Sequence, residues 1–225
     1  MWRAFAIMLV LLAAEVRAQR GPSPEDLRIY AGLHEAAAKG DVAEIERLIG
    51  AGERPNIQDS RSRTPLHVAA FMKQHAAARA LLRLGANANA LEIDRYDIVT
   101  IAAVANDIEM LKIALEGGAS AKNVTSRYDG TALIAAAHLG HVEAVKLLIA
   151  AGAPLNHVNN LGWTALIEAI VLGNGGANHT ATVRALVEAG ADVNIADRQG
   201  VTPLQHARRR GYVEMARILE NAGAR

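Results

Sequence analysis

The chain has 225 residues, a net charge of +1 at neutral pH, 51% hydrophobic residues and only 4% aromatic ones. Its length supplies an ordinary core, and its near-neutral charge argues against nucleic-acid or membrane-surface binding driven by bulk charge. The absence of cysteine excludes disulfides, thiolate metal sites and a cysteine nucleophile.

In chain order, the first 18 residues read as a cleavable signal peptide. Arg3 supplies a positive charge, and residues 4–14 form an apolar run shorter than the ~20 residues of a membrane span. Ala14, Val16 and Ala18 put small or modest side chains before a cut. Cleavage is expected after Ala18, leaving a chain that starts at Gln19 and loses Arg3, Glu15 and Arg17 to reach a net charge of zero. No cysteine is present for a lipoprotein anchor, and export of a cysteine-free chain fits a bacterial periplasm. The expected location is therefore periplasmic or secreted, with no membrane insertion after cleavage.

Residues 19–26 form a linker, within which Ser23-Pro24-Glu25-Asp26 opens a helix with a cap, a proline at the first position and acids in the first turn. Leu33-His34-Glu35-Ala36-Ala37 continues it to a turn at Gly40-Asp41. Val42, Ile45, Leu48 and Ile49 then sit at helical spacing.

Next comes Arg63-Thr64-Pro65-Leu66-His67-Val68-Ala69-Ala70, to which the chain keeps returning. Thr131-Ala132-Leu133 and Thr164-Ala165-Leu166 are variants, Thr202-Pro203-Leu204-Gln205 is a near copy, and Asp97-Ile98-Val99-Thr100 begins a degraded one. The starts at 64, 97, 131, 164 and 202 are separated by 33, 34, 33 and 38 residues. Thr caps a helix and Pro is tolerated at its first position, so each copy opens a helix. Gly85, Gly118, Gly152, Gly190 and Gly223 suit the left-handed residue that ends a second helix. The 38-residue spacing places five extra residues within 173–180, a Gly- and Asn-rich stretch expected to be a flexible, dispensable loop between helices.

A period near 33 opening on T-P-L-H resembles the ankyrin repeat. The resemblance implies an all-α solenoid of helix-turn-helix units with short β-hairpin fingers. It covers residues 27–225 as six repeats: 27–56, 60–89, 93–122, 127–156, 160–194 and 198–225. It also implies a non-enzymatic module that binds a protein partner as a monomer, with no cofactor. Exported bacterial relatives of this kind suggest two roles, one supporting catalase and peroxide defence and one neutralising a toxic effector as an immunity protein.

No G-x-S-x-G, P-loop, H-E-x-x-H or Gly-rich dinucleotide motif is present. His138 and His141 lie three apart, but Gly140 separates them at an inter-helix turn, so they read as structural rather than as metal ligands. The polar cluster to weigh for chemistry is His138, His141, Glu168 and Asp129. His67 holds the T-P-L-H position, which the family uses to stabilise the turn, and His34 and His206 are similarly placed.

In the family, partners are read by finger tips and by residues just past the Ala-Ala of each first helix. Carried onto this chain, that pattern selects Arg61 and Arg63 with Phe71 and Met72, then Asp94 and Tyr96 with Val104. It continues with Arg127 and Tyr128 beside His138 and Leu139, and Leu161 and Trp163 beside Val171 and Leu172. Aromatic residues and Arg are enriched at interfaces and their hot spots. Trp163, directly before the cap Thr164, is expected to be a partly exposed finger residue.

Overall fold

The computed structural model describes residues 19–225; the stretch read as a signal peptide lies outside the described residues. Helices α1 (Pro24–Ile29), α2 (Gly32–Lys39) and α3 (Val42–Gly50) begin the stack, followed by α4 (Pro65–Phe71), α5 (His75–Arg83), α6 (Ile98–Val104) and α7 (Ile108–Glu116). Then come α8 (Ala132–Leu139), α9 (Val142–Ala150), α10 (Ala165–Val171), α11 (Ala177–Glu188), α12 (Pro203–Arg209) and α13 (Val213–Asn221). The first helices of successive units, α2, α4, α6, α8, α10 and α12, pack side by side in one layer, and the second helices form the other.

The repeated residues do the local work foreseen for them. Thr64, Asp97, Thr131, Thr164 and Thr202 each accept a backbone N–H three residues on with the side-chain oxygen, a contact worth ~1 kcal/mol. Thr64 and His67 close a full reciprocal capping box. Gly85, Gly118, Gly152, Gly190 and Gly223 all have φ between 77° and 93°, where a Cβ would be strained. The core is alanine and branched aliphatics: Leu66, Leu133, Leu166 and Leu204 are at most 3% exposed, and burying each stabilises by ~1.5–3 kcal/mol. Small alanines between them let the helices approach closely.

Two expectations are corrected. The helix opened by Ser23 does not continue to Lys39: Tyr30 and Ala31 are extended and Gly32 has φ +57°. The break separates α1 from α2, and Asp26 of α1 meets the second finger, where it faces Arg63 at 3.0 Å. The insertion after α10 is not a free loop. It adds a turn to α11, which has 12 residues against nine in the other second helices from α3 onward. The rest is tied down: Tyr212 Oη donates to the Gly173 carbonyl (3.0 Å), His179 Nε2 donates to the His138 carbonyl (2.9 Å), and Asn174 Oδ1 accepts the Gly176 N–H (2.9 Å).

Candidate functional site

The fingers are braced from within. Asp59 Oδ1 accepts the N–H groups of Arg61 and Arg63, Glu92 Oε1 those of Asp94 and Tyr96, Asn159 Oδ1 those of Leu161 and Trp163, and Asp197 Oδ1 those of Gln199 and Val201. One acidic or amide side chain five residues before the caps Thr64, Asp97, Thr164 and Thr202 thus satisfies two backbone donors that the tight turn would leave unpaired. The turn reverses at a positive-φ residue: Ser62, Arg95, Gly162 or Gly200. Burial raises the Glu92 pKa, although two N–H donors oppose it. The unit starting near 127 carries one residue more and pairs strand β1 (Val124–Thr125) with β2 (Gly130–Thr131) in antiparallel register, Val124 opposite Thr131.

Neighbouring fingers are locked to one another. Backbone bonds run from Ile93 N to Arg61 O, Ser126 N to Arg95 O and Asn160 N to Tyr128 O, at 2.9–3.0 Å. Above them runs a charge ladder: Arg61 and Arg127 both pair with Asp94 (2.6 and 3.1 Å), and Arg95 pairs with Asp129 (2.9 Å). His34 Nε2 donates to the Arg63 carbonyl at 2.8 Å, and His67 Nε2 lies 3.1–3.2 Å from the Ala90 and Tyr96 carbonyls. Burial lowers the His67 pKa, so the ring stays neutral while bridging units.

Between these fingers and helices α6, α8 and α10 lies a shallow groove open to solvent. Tyr96, Tyr128, Val104, Leu161 and Leu172, all half-buried, wall it. Thr100, Thr125 and Ala135 line its floor, and one end is polar. There Glu168, 4% exposed, accepts from Asn159 Nδ2 (3.0 Å) and from His138 Nδ1 (3.0 Å). The structure thus brings together His138 and Glu168 from the cluster weighed for chemistry, but not the others: His141 Nδ1 donates to the Ala103 carbonyl and Asp129 pairs with Arg95. Among the described residues no group of three His, Asp or Glu could hold a metal ion.

Four of the residues selected for partner contact are buried. Arg63 is 0% exposed and clamped by Asp59 (2.6 Å) and Asp26 (3.0 Å), because α1 covers its finger. Trp163 is 6% exposed rather than partly open. It packs with Ile167 and Val171 of α10, behind Tyr128, Leu161 and Leu172. The indole is buried because Ile167 and Val171 offer it an apolar surface beneath the finger. Val171 is shut in the same cluster, and His138 is spent on Glu168. Phe71, Met72 and Leu139 are half-buried. Sequence reasoning missed Asn159, Glu92 and Asp59; the signal was present as an acid or amide recurring five residues before four of the five caps.

Comparison with known proteins agrees with this architecture. Residues 33–122 and 99–197 match a family profile described as ankyrin repeats in three copies, and residues 176–220 match one of ankyrin repeats in many copies. The ankyrin repeat protein YahD of Escherichia coli K12 is 35% identical over 84% of this chain and 94% of its own length. An ankyrin repeat domain from Acinetobacter baumannii AYE, solved by crystallography, superposes with a TM-score of 0.82 at 46% identity, covering 86% of this chain and 98% of that one. The human B-cell lymphoma 3 protein is 30% identical over 85% of this chain, which spans 43% of that longer protein.

Proposed function

As the chain belongs to the ankyrin-repeat family, whose repeats are a protein–protein interaction module, we propose that it acts by binding a protein partner of the bacterial cell envelope in the groove over α6, α8 and α10. One observation carries this reading: Tyr96, Tyr128, Val104, Leu161 and Leu172 from three successive units converge, half-buried, on one recess. Aromatic and aliphatic anchors in a recess set on a rigid frame are what hot spots are made of. Several adjacent units supply the ~800 Å² per partner of a standard interface. The site needs no covalent chemistry: the His138–Glu168 pair is committed to holding Asn159 and the finger above it.

The envelope location rests on residues 1–18, with Arg3, the apolar run and Ala18 before the cut. A partner in peroxide defence is the first to test, and a toxic effector the second. The experiment is capture from an envelope extract with the full chain as bait, beside a Tyr96→Ala/Leu172→Asp variant. A specific partner should be lost by roughly 30-fold or more from the variant, as for a hot spot of ~2 kcal/mol. Capture that is equal with both baits would overturn the groove as the site.

A further inference from the structure

The rim of the groove includes a piece of this chain's own N-terminal segment, Gln19. Residues 19–22 run from the N-cap Ser23 along the concave face. A Cβ placed on Gly21 would lie 3.3 Å from Phe71 Cδ1, and two residues earlier Gln19 lines the groove with Tyr96, Tyr128 and Leu161. The segment therefore lies against the Phe71 ring and borders the recess beyond it.

It is held loosely. Among the described residues, none of residues 19–22 makes a hydrogen bond, and Gln19 Nε2 is buried with no partner. A buried amide donor without an acceptor is costly, and release to water would satisfy it. Only packing keeps the segment in place, and Gly21 is the residue that permits the closest approach.

We infer that residues 19–22 are a displaceable strap, an intramolecular occupant of the groove, and that the partner presents an extended polypeptide stretch along the same track. This deepens the groove reading given above and rests on it. A partner must expel the strap before it can bind, so the measured affinity is the intrinsic one reduced by the fraction of molecules with the strap out.

The absence of cysteine permits a direct test in the full chain. Ala135→Cys places one thiol on the groove floor, and its rate of reaction with an aromatic disulfide reagent reports how open the groove is. Adding Gly21→Leu, whose side chain crowds Phe71 from a Cβ contact of 3.3 Å, should speed labelling about tenfold by raising the strap-out population. A synthetic peptide covering residues 19–25 should then slow labelling of that double variant. Equal rates with and without Gly21→Leu would overturn the strap. A peptide without effect would overturn the extended-segment track. Protection that grows with protein concentration would also overturn the intramolecular assignment, since it would put a second copy's segment in the groove. None of these readouts involves a partner, so they stand or fall independently of the capture experiment.

Discussion

Asn159 and Glu168 hold each other across the concave face: the Asn159 amide donates to the Glu168 carboxylate at 3.0 Å while its oxygen accepts the backbone N–H groups of Leu161 and Trp163. The equivalent finger positions carry Asp59, Glu92 and Asp197, which only accept. An amide stands here because the neighbouring helix offers a buried carboxylate, beside which a second one would be repelled. Asn159→Asp should therefore cost about 3 kcal/mol, since it sets a second buried carboxylate against Glu168 in place of a donor. Glu168→Gln in the same chain should restore a large part of that loss. Denaturant unfolding of the two single variants and the double one measures the coupling, expected at about 1–3 kcal/mol. Additive losses would remove the link.

Trp163 sits with Ile167 and Val171 under the finger rather than at its tip. Trp163→Ala should destabilise by about 3–5 kcal/mol, the range for a buried aromatic. Acrylamide should quench the indole poorly; a chain with Trp2→Phe makes Trp163 the only tryptophan to report. Ready quenching with a stability loss under ~1.5 kcal/mol would return the residue to the surface.

The inserted segment after α10 is built in. A Cβ on Gly173 would lie 2.1 Å from the Ala169 carbonyl oxygen, with His179 at 2.6 Å behind it. Gly173→Ala should lower the thermal midpoint by more than ~5 °C, and deletion of five residues between 173 and 178 by at least as much. A midpoint unchanged by the deletion would mean the segment contributes no packing.

His67 makes stability depend on pH in a defined direction. Burial holds its folded pKa below the unfolded value of about 6.5, so the unfolded chain takes up more protons between the two values. Stability is then fully present above about pH 6.5 and falls as pH drops through it, by at most ~1.4 kcal/mol per pH unit for this group. His67→Gln keeps the capping box, as Gln205 does opposite Thr202 (3.2 Å), and removes the titration. Thermal midpoints between pH 7.5 and 5.5 should fall less steeply in the variant; parallel curves would exclude His67 as the source.

Much of the architecture was legible because it is local. A cap and a closing glycine each act within one turn of helix and recur at a period near 33, with a proline after the cap at Pro65 and Pro203, so the register of the last five units follows from Thr64, Asp97, Thr131, Thr164 and Thr202. The finger braces were legible too, had the spacing from Asp59 to Thr64 been compared with that from Asn159 to Thr164. The site was only half visible. Tyr96, Tyr128, Val104, Leu161 and Leu172 do line the groove, because position along a stacked unit fixes which face a residue occupies.

By itself the sequence determined that this chain is a stack of two-helix units and where the capped helices start. Those are decided by hydrogen bonds and dihedral preferences between residues three to five apart. Only the tertiary structure decided which side chains of the concave face stay open. Arg63 is buried because α1 folds back over its finger, and Trp163 because α10 presents Ile167 and Val171 beneath it. The inserted glycines are ordered because Tyr212, 39 residues away in the chain, reaches back to Gly173. Burial is a property of neighbours brought together by stacking, and no spacing within a single unit encodes who those neighbours are.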